Sequence, residues 1–337
     1  MIRALVADDS NFMRKALTHI LGSDRDIKVI DTASDGEETI RKVKELRPDV
    51  VLLDIEMPVM DGLCALTHIM TEAPTPVVVI SGLKEPALAV KSLFQGAVDF
   101  IPKPSGVISY GIEEIKEEII ARVKTAASVN VQKMKLIPPG ESYVKSPKKF
   151  KPRQAVIIGA STGGPRAVAA VLSSFPPGIS AAVIVVLHMG PEFIPPFVDM
   201  LKWKCQLDIS IAKHDKIIRS GRVFVSPGGC NISIVQDKAV RRFSIQKNLR
   251  YSVPSIDLTM RSAAKIYGEH VVGVLLTGMG SDGASGLKAI KDAGGTTIAE
   301  DESTCVIFGM PKAAIGLGCV DEVLPLPQIA GAVLRMI

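Results

Sequence analysis

Residues 155–172 read AVIIGASTGGPRAVAAVL: an apolar run passes through a cluster of small residues into a second apolar stretch with helical spacing. The run has the length of a buried parallel strand, and Pro165 suits the first turn of the helix after it. Strand, tight turn and helix form the repeating unit of an α/β sheet, whose functional edge lies where strands end and helices begin. Three readings of the turn compete. A P-loop needs a lysine after its last glycine, and none follows Gly164. A dinucleotide fingerprint needs Gly-x-Gly-x-x-Gly with an acid downstream; Gly159, Gly163 and Gly164 have the wrong spacing, and the downstream segment PPGISAAVIVV holds no acid. Gly159 to Gly163 does fit Gly-x-Ser-x-Gly, which sets Ser161 on a sharp turn with its Oγ exposed. Small residues at such a turn also serve plain close packing, so the serine needs partners.

A nucleophilic serine requires a base, usually histidine. His19 and His68 fall on helices of the first half, His214 sits in the polar segment KHDK, and His270 precedes the strand VVGVLL and so belongs to the opposite sheet edge. His188 alone follows a buried strand, AAVIVVL, and reaches the rim of Ser161. The residue that orients the imidazole should come from the same rim. Asp282 does, in the glycine-rich loop TGMGSDGASG after VVGVLL. Asp199 lies on a helix face, Asp208 and Asp215 fall in polar connections, and Asp301 belongs to the run EDE. The order Ser, His, Asp is not that of the α/β-hydrolases, which points to a different α/β sheet bearing a convergent site.

The same alternation fills residues 1–120. IRALVA, KVIDTA, PDVVLLDI, PVVVIS and AVDFIPK read as strands, and NFMRKALTHILG, DGEETIRKVKELR, DGLCALTHIM and EPALAVKSLFQG as helices. The expected fold is therefore α/β twice over: a doubly wound parallel five-stranded domain, then a second, Rossmann-like parallel sheet that does not repeat the first. In the second half AVIIG, AAVIVVLH, RVFVSPGG and VVGVLLTG are strand candidates, and PRAVAAVLSSF, SIDLTMRSAAKIY and SGLKAIKDAG helix candidates. Between about Ala126 and Lys151 the pattern gives way to polar and basic sequence with PPG and SPKK, which marks a domain boundary. The expected division is 1–121, a basic linker 122–152, and 153–337.

A chain of 337 residues with 47% hydrophobic content is long enough for two cores. Its net charge of +5 is unevenly spread: residues 1–120 carry 13 basic against 20 acidic side chains, residues 121–152 carry 8 against 1, and the remainder 19 against 14. That distribution gives no nucleic-acid stripe, and no recognition-helix module is apparent after residue 153. The longest apolar run, AAVIVVL, is far short of the roughly 20 residues of a membrane helix, and IRALVADDS does not resemble a secretory leader. A cytoplasmic protein without membrane insertion is expected. Five scattered cysteines lack ligand spacing and read as reduced packing residues.

Asp8 and Asp9, Asp54, Ser81 and Lys103 stand at successive strand ends of the first half and should converge on one rim. Each acid alone could be a helix cap; together they form a hard-oxygen site for Mg²⁺ beside a cation and a hydroxyl suited to a phosphoryl group. With ADDS, LLDIEMPVMDG, VISG and FIPKP, this half resembles a response-regulator receiver domain. The resemblance implies that Asp54 accepts phosphate, that Asp8 and Asp9 help Asp54 hold Mg²⁺, that Ser81 and Lys103 contact the phosphoryl group, and that Phe100 is the switch aromatic. The Lys103–Pro104 bond is a cis candidate.

Residues 153–337 resemble the methylesterase domain of the chemotaxis protein-glutamate methylesterase family, through IGASTGG, LHMGPEF, SPGG, PSIDLTM, LLTGMGSDGASGL and GMPKAAI. That resemblance implies Ser161 as nucleophile, His188 as general base, Asp282 as its orienter, and Thr162 with the Met279 backbone at the oxyanion site. It also implies esters on the cytoplasmic helices of methyl-accepting chemoreceptors as substrate, a chemotaxis histidine kinase as phosphodonor, a receiver that blocks the catalytic rim until phosphorylated, and no cofactor for hydrolysis. Glutamine deamidation would use the same acyl chemistry. Two departures flank the site: HMGPEF, where proline more often follows HM, and AEDE, where glutamine often precedes DE. The reading from another class is a phosphorylation-controlled scaffold or regulator with a relic hydrolase site.

Overall fold

The computed structural model describes residues 1–82, 86–103, 112–131, 155–247 and 254–337. The Lys103–Pro104 bond lies outside them. The chain divides into two units, Met1–Lys135 and Leu136–Ile337.

In the first unit the apolar runs become β1 (Ile2–Ala7), β2 (Ile27–Ala33), β3 (Val50–Asp54), β4 (Val77–Gly82) and β5 (Asp99–Lys103). They form a parallel sheet in the order β2-β1-β3-β4-β5. Between them lie α1 (Asn11–Gly22), α2 (Gly36–Leu46), α3 (Gly62–Glu72) and α4 (Pro86–Gln95), and α5 (Lys116–Ala127) follows. Short polar side chains start three of these helices: Ser10, Asp35 and Asp61 each accept a hydrogen bond from the backbone N–H three residues on. Every residue of β3 is buried, as expected of a central strand covered on both faces. Helix α5 runs on past residue 121 and buries Val123 and Ala126. Its basic, threonine- and alanine-bearing sequence reads as linker because only a narrow apolar stripe is needed on that helix.

The second unit contains β6 (Ala155–Ala160), α6 (Gly164–Ser173), β7 (Ala182–Leu187), α7 (Ile194–Lys204), β8 (Asp208–Ile211) and β9 (Arg222–Val225). An antiparallel hairpin of β10 (Cys230–Asp237) and β11 (Val240–Lys247) comes next, then α8 (Ile256–Tyr267), β12 (Val271–Leu275), α9 (Ala284–Asp292), β13 (Thr296–Glu300), α10 (Met310–Gly316), β14 (Glu322–Leu324) and α11 (Leu326–Leu334). Seven strands form one parallel sheet, ordered β14-β13-β12-β6-β7-β9-β8. Asp208, read from the sequence as part of a polar connection, instead opens β8.

The chain leaves β6 towards β7 on one side and later places β12 on its other side, so the strand order reverses at β6. A crevice at the carboxyl ends of strands is expected at such a reversal. All six residues of β6 and of β7 are buried, as are all five of β12, so the three strands that carry the rim are the rigid centre of the sheet.

Candidate active site

Three adjacent strands deliver the three side chains singled out from sequence: Ser161 follows β6, His188 follows β7, and Asp282 lies in the loop after β12. His188 Nδ1 lies 3.2 Å from Ser161 Oγ, and His188 Nε2 lies 2.8 Å from Asp282 Oδ2. The carboxylate accepts the Nε2 proton, which leaves the Nδ1 lone pair facing the serine hydroxyl. The imidazole is thus used with its two nitrogens in the reverse roles from the chymotrypsin-type triad, where Nε2 faces the serine.

Backbone contacts extend the sheet ladder past the strand ends and fix this geometry. Ser161 N–H donates to Thr277 O at 3.0 Å, His188 N–H to Ala160 O at 3.1 Å, and Leu276 N–H to Gly159 O at 2.9 Å. The small residues of the turn allow the close approach. A Cβ on Gly159 would meet Ile256 Cγ2 at 2.4 Å, and one on Gly278 would meet Ser161 Cβ at 2.7 Å. Gly163 caps α6 with φ +76°, a conformation that a side chain disfavours.

Asp282 is held by more than the imidazole. Its oxygens accept from Ile256 N–H at 2.8 Å, Asp257 N–H at 2.9 Å and the Ser255 hydroxyl at 3.3 Å, so the carboxylate sits on the amino end of α8. Burial pushes its carboxyl up, but the His188 hydrogen bond and the two amides outweigh burial and leave it below the usual aspartate range. Asp257 returns the grip: it accepts from Gly283 N–H at 2.9 Å, Gly286 N–H at 2.7 Å and the Ser285 hydroxyl at 2.5 Å, at the amino end of α9. Asp282 thus caps the helix that carries Asp257, and Asp257 caps the helix that follows the Asp282 loop. Sequence reasoning passed over Asp257, although PSID carries its signal, a serine cap followed two residues on by an acid.

Thr162 and Met279, also singled out from sequence, flank the serine and the Asp282 loop: Thr162 O accepts from Thr277 Oγ1 at 3.0 Å, and Met279 is 54% exposed.

In the first unit, Asp8, Asp9 and Asp54 each offer a carboxylate oxygen within 4.8 Å of the others. Asp8 and Asp54 are buried and Asp9 is exposed. Lys103 Nζ stands 2.7 Å from Asp54 Oδ2 and 2.9 Å from Asp8 Oδ2, although the latter oxygen, buried, receives no aligned hydrogen bond. Burial, with added repulsion from Asp8, pushes the Asp54 carboxyl up to about 6 against the pull of Lys103. Lys103 pairs with two of these three acids, so the cluster is short of positive charge. A divalent cation with a preference for oxygen ligands fits both that deficit and the unsatisfied Asp8 oxygen. Ser81 is buried at the end of β4, and Phe100 is buried on β5.

The fold and the two rims define a class: a receiver domain joined to a parallel α/β hydrolase domain with a hydrogen-bonded serine, histidine and aspartate at its rim. The response regulator receiver domain model matches residues 4–109, and the CheB methylesterase model matches residues 156–333. A protein-glutamate methylesterase/protein-glutamine glutaminase of Pyrococcus abyssi is 43% identical, over the whole of this chain and 94% of its own length. One of the same name from Archaeoglobus fulgidus is 41% identical over 100% of this chain and 98% of its own. The crystal structure of the Thermotoga maritima CheB methylesterase catalytic domain is 35% identical, covering 56% of this chain and 100% of that one, with a TM-score of 0.53. The chain belongs to the CheB methylesterase family of hydrolases.

Proposed function

We propose that the chain is a phosphorylation-regulated protein-glutamate methylesterase that acts on glutamyl methyl esters of chemoreceptor cytoplasmic helices in chemotaxis adaptation. The observation that carries this reading is the hydrogen-bonded line from Asp282 through His188 to Ser161 at three adjacent strand ends. His188 Nδ1 takes the Ser161 proton as Oγ attacks the ester carbonyl. Asp282 holds the imidazole and stabilises its positive charge. Thr162 and the Met279 backbone face the developing oxyanion, where each well-aimed donor contributes about 2.7–4 kcal/mol. Collapse of the tetrahedral species releases methanol, protonated by His188, and leaves a glutamyl ester on Ser161. Water, deprotonated by His188, then frees the glutamate. Glutamine in place of the ester would release ammonia by the same steps, and the names of the relatives support that second activity.

Residues 1–121 are the receiver, 122–152 the basic linker and 153–337 the catalytic domain. Asp54 accepts the phosphoryl group from a chemotaxis histidine kinase, and Lys103 and Ser81 bind the group once it is transferred. Asp8, Asp9 and Asp54 would hold Mg²⁺, which would neutralise phosphoryl charge at that rim. The added charge of roughly −1.5 to −2 shifts the receiver, through Phe100, out of a state that inhibits hydrolysis. Methanol release from radiomethylated receptor membranes tests the reading. It should vanish in Ser161→Ala and rise with a small phosphodonor and Mg²⁺ only when Asp54 is intact. A chain that is phosphorylated yet releases no methanol from several receptors is instead the scaffold with a relic site.

A further inference from the structure

Glu300 ends β13 with its side chain fully buried, yet among the described residues no salt bridge reaches it. Its Oε2 accepts Thr277 N–H at 2.9 Å and its Oε1 accepts the Thr304 hydroxyl at 3.0 Å. Thr277 is the residue that holds the nucleophile's turn at both ends. Its carbonyl accepts Ser161 N–H at 3.0 Å, and its hydroxyl donates to Thr162 O at 3.0 Å while accepting from Ile307 N–H at 2.9 Å. One residue therefore separates a buried acid from the backbone of the catalytic serine.

We infer that Glu300 is a positioning residue for the reaction, and that its ionisation sets how firmly Thr277 holds the turn of Ser161 and Thr162. This rests on the esterase reading only in that Ser161 is the nucleophile. Both protonation states can be accommodated. When ionised, the carboxylate accepts from Thr277 and Thr304, and its bond to Thr277 is charge-assisted, about twice as strong as a neutral one. When protonated, it donates from Oε1 to Thr304 Oγ1, and the threonine's own proton turns to Asp301 O at 3.4 Å. Thr304 Oγ1 keeps its bond from Leu326 N–H at 3.0 Å throughout. Thr277 N–H then faces a neutral oxygen, and the hold on the nucleophile slackens.

The surroundings place this ionisation in an accessible range. Burial is the main cause that pushes the Glu300 carboxyl up, to about 7; the bonds from Thr277, Thr304 and Cys305 pull down, and the charge of Asp301 pushes up. Glu302 lies in the same run of acids, and the Cys305 thiol is itself pushed up by burial and by these charges. On the neighbouring strands β12 brings no ionisable group, and β14 brings Glu322, which faces Arg335 at 3.4 Å. Of the helices closing this end, α11 has none and α10 has Lys312, which is exposed. The AEDE departure seen in the sequence is thus an exchange of amide for acid inside the catalytic frame.

The test compares the full-length wild type with Glu300→Gln, an amide of nearly the same shape, by the rate at which a fluorophosphonate labels Ser161 between about pH 5.5 and 8.5. Receiver effects and every other group are common to both, so the ratio of wild-type to variant rates isolates Glu300. That ratio should rise from near one at the acid end to roughly fivefold at the alkaline end. In parallel, in chains that also carry Asp54→Asn, so that the other raised carboxyl is absent, a protonated-carboxyl infrared band should titrate while Glu300 is present, vanish in Glu300→Gln and move to lower pH in Asp301→Asn. A ratio that stays flat with pH, at one or at any other value, overturns the inference, as does a band that does not titrate or a serine that is never labelled. Labelling with the expected ratio but no methanol release would leave the inference standing and remove the methylesterase reading.

Discussion

At the scale of single residues, the line from Asp282 to Ser161 is held by groups outside it. Asp282→Asn should lower kcat by about 10³–10⁴, because the amide disturbs the tautomer that points the Nδ1 lone pair at Ser161; steady-state kinetics at fixed pH read it directly. Asp257→Ala removes three hydrogen bonds to the Asp282 loop and should cost about 1–3 kcal/mol of stability in urea unfolding, with kcat falling more than KM rises. Glu300 gives a stability signature of its own. Its folded-state pKa, about 7, lies above the ordinary value of 4.5. The folded state therefore holds a proton that the unfolded chain releases. The stabilisation is complete below 4.5 and lost as pH climbs through 7, a change on the order of 3 kcal/mol. Glu300→Gln should accordingly raise the Tm relative to wild type near pH 8.5 and leave it nearly unchanged near pH 5.

At the scale of elements, backbone geometry decides more than side-chain chemistry. Gly278→Ala places a Cβ 2.3 Å from Met310 Sδ and 2.7 Å from Ser161 Cβ, and should lower kcat at least tenfold by displacing the serine. In the receiver, Val59 holds φ +65° in the loop between β3 and α3, a left-handed conformation that costs a β-branched residue about 1–2 kcal/mol. Val59→Asn should recover about 1 kcal/mol of that, read as a higher urea midpoint. The elements legible in the sequence were those with a long apolar run or a clear helical spacing, and these include the three strands, buried on both faces, that lead to Ser161, His188 and Asp282. Others were hidden for physical reasons. The strand β14 has three residues, none fully buried, and offers no run to detect. The hairpin β10–β11 turns through Lys238 and Ala239 without the Asn-Gly or Asp-Gly pair that marks a tight turn. Helices α10 and α11 both carry proline in their first turn, which looks like a break but is tolerated there. At the site, strand ends located Ser161, His188 and Asp282, whereas Asp257 and Glu300 act through backbone amides and so leave no spacing to read.

At the scale of the whole molecule, charge is unevenly divided along the chain. The acidic receiver segment and the basic segment 121–152 carry opposite net charges of 7 each. If attraction between them contributes to inhibition, hydrolysis by the unphosphorylated chain should rise as salt is increased through the range where the screening length drops below about 8 Å, while the phosphorylated chain changes little. A flat salt series removes that contribution. The reciprocal caps at α8 and α9 carry a different kind of consequence, one for how such a sequence can drift. Neither aspartate can be exchanged alone without freeing the helix end that positions the other. Substitutions at 257 and 282 are therefore epistatic: losing either weakens selection on its partner. A relative that has given up catalysis should show both positions altered together, leaving the hydrophobic strands beneath them intact.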